Sequence, residues 1–170
     1  MKHTMIDIET LGTRPGCMIT QIAAVHFDMD GDFDPCTFDY RINIATYGDD
    51  AVIDPATLQW WSGQDPVVYS NMMNGEYALV NVLRYLDAFL LDSEFLWAKS
   101  PTFDMVLIEH WRQKYLMDPW DFRSWLDVRT ALSLAGVVQP RAENAHDAVS
   151  DCIAQIKGVQ LAYDELGSQL

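Results

Sequence analysis

The sequence predicts a mixed α/β fold: a three-strand antiparallel meander, extended by crossover strands, with helices on both faces of the sheet. The order of periodicities carries this. Three segments of strand character come first, and helical segments alternating with short strands follow. Size agrees, since 170 residues at 49% apolar content suffice for a three-layer core. No repeat, low-complexity stretch or linker interrupts the chain, so residues 1–170 are read as a single domain.

The first strand is MIDIE, residues 5–9, in which Ile6 and Ile8 take one face and Asp7 and Glu9 the other. Thr10-Leu11-Gly12 stops it at a turn. Residues 18–27 form a second strand, apolar enough to be buried on both faces. DMDGDFD, residues 28–34, has the look of a calcium loop, but its glycine is fourth rather than sixth and strands flank it. It is therefore read as a hairpin turn. Residues 37–44 alternate well and make the third strand, followed by a polar loop to residue 54.

Pro55 opens a short helix through Trp61 with Asp54 as its cap, and Asp65-Pro66 opens another through Met73. Residues 75–92 are the clearest long helix, with Leu79, Val82, Leu83, Leu86, Phe89 and Leu90 in one stripe. Residues 94–98 are a fourth strand. Residues 104–116 are a helix with Leu107, Ile108, Trp111 and Tyr115 facing inward. Residues 122–126 form a fifth strand running into a helix over 128–135, which Gly136 and Pro140 end. The last helix spans about 147–166, with Val149, Cys152, Ile153, Ile156 and Tyr163 inward.

The net charge of −14 opposes non-specific binding to duplex DNA, which needs Lys and Arg against phosphates. It leaves room for a nuclease that holds a strand end through metal ions. No apolar run reaches membrane-spanning length, so no membrane partner is expected. The N-terminal residues lack a secretory pattern, and Cys17, Cys36 and Cys152 are scattered without metal-ligand spacing. Both features suit the cytoplasm.

Three short motifs carry the chemistry. Asp7 and Glu9 repel each other, and burying either alone is costly. A divalent cation removes both penalties, and Mg²⁺ or Mn²⁺ suits hard carboxylate oxygens; a solvated strand face is the other reading. Asp104, in SPTFD, follows the fourth strand and opens a helix, where an acid also serves as a cap or a partner of the helix dipole. HDAVSD, residues 146–151, opens the last helix, with Asp147 as its cap and Asp151 well away from the apolar stripe. Asp151 is either solvated or turned into a cleft. His146 suits either a structural hydrogen bond or proton transfer.

In this order, D-x-E, the later Asp and H-x-A-x-x-D resemble the motifs of the DEDDh family of 3′–5′ exonucleases, over nearly the whole chain from Asp7 to Asp151. TLQWW (57–61), Leu96-Trp97 and DVRT (127–130) look like its compact bacterial and phage branch of RNase AS-like enzymes. The resemblance implies a ribonuclease-H-like three-layer fold with a five-stranded mixed sheet. It implies single-stranded RNA or DNA, held at the 3′ end and hydrolysed to nucleoside 5′-monophosphates, with RNA favoured by the nearer branch. It also implies a homodimer.

By the same resemblance, Asp7 would bridge two divalent ions, Mg²⁺ or Mn²⁺, Glu9 and Asp151 would complete one shell, and Asp104 would hold the second ion. Such an ion pair, about 3.5–4 Å apart, stabilises the attacking and leaving oxygens. His146 would be the general base. The substrate would meet Thr10, Leu11, Trp60, Trp61, Phe103 and Arg129, with Leu11 wedged beside the terminal base. Trp60 or Trp61 either stacks on a base, worth about 1–3 kcal/mol, or packs in the core. Arg129 reaches a phosphate or pairs with Asp127. One departure is Lys99-Ser100-Pro101-Thr102, where many members carry an Asn before the second-motif acid. The alternative function is a catalytically silent member of the fold that binds strands or partners, of the proofreading type.

Overall fold

The computed structural model describes residues 3–168 apart from Asp32 and Ala145. Its strands are β1 (His3–Thr10), β2 (Ile19–Phe27), β3 (Phe33–Arg41), β4 (Phe95–Ala98) and β5 (Trp125–Asp127). Its α-helices are α1 (Pro55–Ser62), α2 (Pro66–Met73), α3 (Leu79–Phe89), α4 (Asp104–Lys114), α5 (Val128–Ala135) and α6 (Ala148–Ser168). The sheet has five strands in the order β3-β2-β1-β4-β5. β1, β2 and β3 are antiparallel neighbours, while β4 runs parallel to both β1 and β5. This is the mixed sheet expected from the order of elements, with the meander on one side and the crossover strands on the other.

The period of two along β1 divides the core. Ile6 and Ile8 face a layer built with α3 and α4, where Leu83, Leu86, Ile108 and Trp111 are buried. Met5 faces the opposite layer, packed with Val128, Leu132, Cys152 and Ile156 of α5 and α6. β2 is buried along its whole length, as its largely apolar run predicts, with Thr20, Gln21 and His26 buried among the apolar residues. A third, smaller cluster of Leu11, Trp61 and Met72 gathers under α1 and α2 at the end of β1. Asp54 and Asp65 cap these two short helices by accepting from the amides of Ala56 and Val67.

Three elements depart most from the sequence expectation, because a tertiary contact or a local cap takes over the backbone. β3 starts at Phe33 and ends at Arg41, because the hairpin closes with Phe27 opposite Phe33. The turn lies where expected, and its residue Asp32 is outside the described residues. α3 starts at Leu79 rather than residue 75, since Ile42 bridges Tyr77 and the Asn43 amide donates to the Tyr77 carbonyl at 2.8 Å. β5 begins only at Trp125, because Asp121 caps a 3-10 turn over Phe122–Ser124, its carboxylate accepting from the Arg123 amide at 3.0 Å. On α6, Tyr163 is exposed rather than inward. The small residues Ala148, Ala154 and Ala162 share the buried surface with Cys152, Ile156 and Val159, which lets the helix lie close to the sheet.

The segment that delays α3 also limits sequence freedom. A Cβ at Gly75 would stand 2.2 Å from the carbonyl oxygen of Ile42, a contact that only backbone movement relieves. Gly75→Ala should therefore lower stability by about 3 kcal/mol, read as a shift in the midpoint of chemical denaturation. A midpoint unchanged from the parent would show that this close approach is not a constraint.

Candidate active site

The position of the site follows from where strand pairing stops. β1 pairs with β2 as far as Glu9 opposite Gln21 before the register slips, but with β4 only from His3 to Met5. Beyond Met5 the β4 side of β1 is unpaired, and a crevice opens at the carboxyl ends of the parallel strands, where α/β sheets place their sites. Asp7 and Glu9 continue the face of Met5 and so lie beneath α6. Asp104 arrives from the turn after β4 as the first residue of α4.

The first turn of α6 is fixed by a polar clamp. The Asp147 carboxylate accepts from Arg41 Nη2 at 3.0 Å, from Gln21 Nε2 at 3.3 Å and from the Ser150 amide at 3.3 Å. The last of these is the helix cap expected from the sequence. Gln21 also donates to Asp39 at 2.8 Å and accepts from the Ala148 amide at 3.3 Å, so β2 and β3 both hold the helix start. His146 sits just before this turn with φ of +63°, left-handed backbone that a non-glycine residue seldom adopts. Its ring stands edge-on to Trp60 at 4.8 Å and Trp61 at 5.7 Å, between centroids.

With the helix held there, carboxylate oxygens of Asp7, Glu9 and Asp151 come within 4.8 Å of one another. Asp104 joins them, 3% exposed, and its Oδ2 has no hydrogen-bond partner among the described residues. The electrostatics reflect the crowding. Burial pushes Glu9 up to about 8, helped by the charges of Asp151, Asp104 and Asp147. Asp7 is raised well above the usual carboxylate range by burial and by Asp104, Glu9 and Asp151. Burial lifts Asp104 to about 7, against the pull of the Asp104 and Ile8 amides and of Arg129. Asp151 is raised by burial, with His146 and Lys99 opposing. A cluster that resists ionisation and carries a bare buried oxygen suits a divalent cation, and its all-oxygen donor set suits a hard one.

Beside Glu9 lies a cavity of about 440 Å³ lined by Thr10, Thr13, Thr57, Trp60 and Phe103 among others. Trp60 is 47% exposed and presents its ring there. Thr10 is buried, its hydroxyl donating to the Gly12 carbonyl at 2.6 Å. Leu11, expected by resemblance to wedge beside a base, is instead fully buried in the core under α1 and α2. Trp61, for which stacking and core packing both stood open, is 2% exposed with its indole N–H donating to the Thr10 carbonyl at 2.9 Å, and only its edge lines the cavity. Arg129 is exposed in the first turn of α5. The carboxylate of Asp127 is engaged by the Arg129 amide and the Thr130 hydroxyl.

One residue escaped the sequence reading. Gln155, one turn beyond Asp151 on α6, donates from Nε2 to Asp7 Oδ1 at 2.7 Å and is 3% exposed. Its signal was a polar residue four positions after a site acid, on the face of the helix turned to the sheet. The Gln21–Arg41–Asp147 clamp left no comparable trace, because its members are far apart in sequence.

Comparison with known proteins places this geometry. The folds of exonuclease I structures match. That of the E. coli enzyme in complex with a dA16 oligonucleotide has 18% identity and a TM-score of 0.75, covering 98% of this chain and 42% of the other. The zinc-ion-bound E. coli ExoI–ssDNA complex gives 18% and 0.74, over 98% and 43%. A moderately thermophilic exonuclease I from Methylocaldum szegediense gives 17% and 0.74, over 96% and 40%. The chain thus spans about two fifths of the exonuclease I chains it matches, and the likeness is one of ribonuclease-H-like fold. No curated protein sequence matches it significantly. The family described as the 3′-5′ exoribonuclease Rv2179c-like domain matches residues 2–163, nearly the full length, and this chain belongs to that exonuclease family.

Proposed function

We propose that this protein is a divalent-metal-dependent exonuclease that hydrolyses single-stranded nucleic acid from the 3′ end, RNA in preference to DNA, releasing nucleoside 5′-monophosphates. The observation that carries the reading is the grouping of Asp7, Glu9 and Asp151 within 4.8 Å, beside the unpartnered buried oxygen of Asp104. Mg²⁺ or Mn²⁺, held by these four acids, supplies charge stabilisation to the phosphate oxygens of the displacement. Asp7 is central to that set, being pressed by all three of the other acids.

The remaining residues divide the work of binding and proton transfer. His146 accepts the proton of the attacking water, a role open to imidazole near neutral pH. Its left-handed backbone and edge-on contacts with Trp60 and Trp61 fix where the ring points. The exposed ring of Trp60 offers a stacking surface that accepts any base. Phe103 adds apolar wall beside it, and Arg129 offers a cation to a phosphate. The family description supports RNA, whereas the exonuclease I structures hold DNA oligonucleotides. A degradation assay with matched single-stranded RNA and DNA, each blocked at one end, decides between them.

Asp7→Asn should abolish metal-dependent hydrolysis while leaving the fold intact, and should raise the metal-free melting temperature by relieving repulsion. At saturating Mn²⁺, His146→Ala should lower turnover by about 10²–10⁴-fold with metal affinity nearly unchanged. Near-full activity in His146→Ala, or loss of its metals, would remove the imidazole from this role.

Chelated protein should also lose stability as pH rises from about 5 to about 8. Glu9 binds its proton more tightly folded than unfolded, so its contribution is complete below the unfolded value of 4.5 and is lost through about 8. Asp7, Asp104 and Asp151 act with the same sign. Glu9→Gln should flatten the slope, as should millimolar Mn²⁺ in the parent. A melting temperature indifferent to both would contradict the site.

The indoles separate by their burial. Trp60→Ala should raise KM more than it lowers kcat, a loss on the order of 1–3 kcal/mol in binding, with little change in melting. Trp61→Ala should instead destabilise the fold by about 3–5 kcal/mol. Paired melts and kinetics on both variants would expose a reversal of these roles.

A further inference from the structure

Gln155 stands out among the residues of the site because its burial is otherwise unexplained. It lies on α6 between Cys152 and Ile156, both buried against the sheet, and is itself 3% exposed. Its Nε2 donates to Asp7 Oδ1 at 2.7 Å, while its Oε1 is buried without a partner among the described residues. Burying a primary amide with half of its capacity unmet is unfavourable, and a Leu or Met of similar volume would fill the space without that penalty. An amide at this position therefore has to gain something from Asp7.

The chemistry of the donor says what. A neutral N–H can hold a carboxylate oxygen without bringing a charge. A Lys or Arg in the same place would neutralise Asp7 and compete with a cation for it. Gln155 sits one helical turn after Asp151, so a single rigid element delivers a site acid and the group that orients another.

We propose that Gln155 is a positioning residue: its amide anchors one oxygen of Asp7 and leaves the second to the cation. This rests on the metal-dependent reading above. The consequence is that α6 sets metal affinity through Asp7 as well as through Asp151, and that loss of the amide weakens the metal site without touching the nucleic acid.

The test uses the full chain, Mn²⁺ alone as the probe, and the variants Gln155→Leu and Gln155→Met, two apolar shapes in case one packs poorly. Calorimetric Mn²⁺ titration should show affinity reduced by about 10–100-fold in both, as for other groups that orient metal ligands. Metal-free melting should stay at or above that of the parent, since the unmet carbonyl is gone. KM for single-stranded RNA at saturating Mn²⁺ should be unchanged. Parental Mn²⁺ affinity in a folded variant overturns the proposal, as does a loss of affinity matched by a comparable loss of metal-free stability in both variants. If the parent itself neither binds Mn²⁺ nor needs it, the metal-dependent reading falls and this proposal with it. A parent that responds while the variants match it removes Gln155 alone.

Discussion

Four carboxylates forced together at the end of a buried strand are the constraint around which this chain is arranged. Nothing local favours the arrangement: burial raises all four acids above their ordinary range, and the neighbouring acids push Asp7 and Glu9 further. The surrounding structure holds them together regardless, from three separate directions. β1 carries Asp7 and Glu9, the turn after β4 delivers Asp104, and the clamped start of α6 brings Asp151. A protein that spends folding stability on such a cluster is storing affinity for whatever relieves it.

The arrangement depends on large, unambiguous packing elsewhere. Ile6 and Ile8 are locked into the layer of α3 and α4, and Met5 into that of α5 and α6. A one-residue slip of β1 would send Asp7 and Glu9 into the apolar layer of α3 and α4, so register and chemistry are the same decision. The early end of the β1–β4 ladder then supplies open space while β1 keeps its register with β2 as far as Glu9. Residues beyond Met5 remain paired with β2, which keeps them rigid while their other flank admits the helix and the turn.

How much of this was legible in the sequence depended on whether a residue's neighbours were close along the chain. The face of Asp7 and Glu9 follows from a period of two, and the caps Asp54, Asp65 and Asp147 follow from their place before helical runs; all lie where the pattern puts them. Leu11 was placed at a base and Trp61 was left between base and core because an apolar residue beside an acidic motif serves either equally well. Only the closure of α1 and α2 over the end of β1 decides for the core. The starts of α3 and β5 moved because backbone hydrogen bonds were taken by distant or capping partners, which no local propensity registers. Gln155 left only the faint signal of its helical position for a related reason: its meaning comes from a contact with a residue 148 positions away.

The net charge of −14 also acquires a local meaning. A basic groove that tracks a long strand would serve binding along its length, and this composition argues against one. What the chain gathers instead is four acids at one crevice, with His146, Lys99 and Arg129 supplying the positive influence felt by Asp151 and Asp104. Attraction for a polyanion then has to come from cations gathered at that point rather than from the surface at large. Such a design engages a strand where it meets the crevice, at its end, and leaves the rest of the strand unheld. The stacking proposed for the exposed ring of Trp60 fits the same economy, since it needs one nucleotide and no charge. Acidity, which at first counts against a nucleic-acid enzyme, is thereby consistent with one that acts on termini.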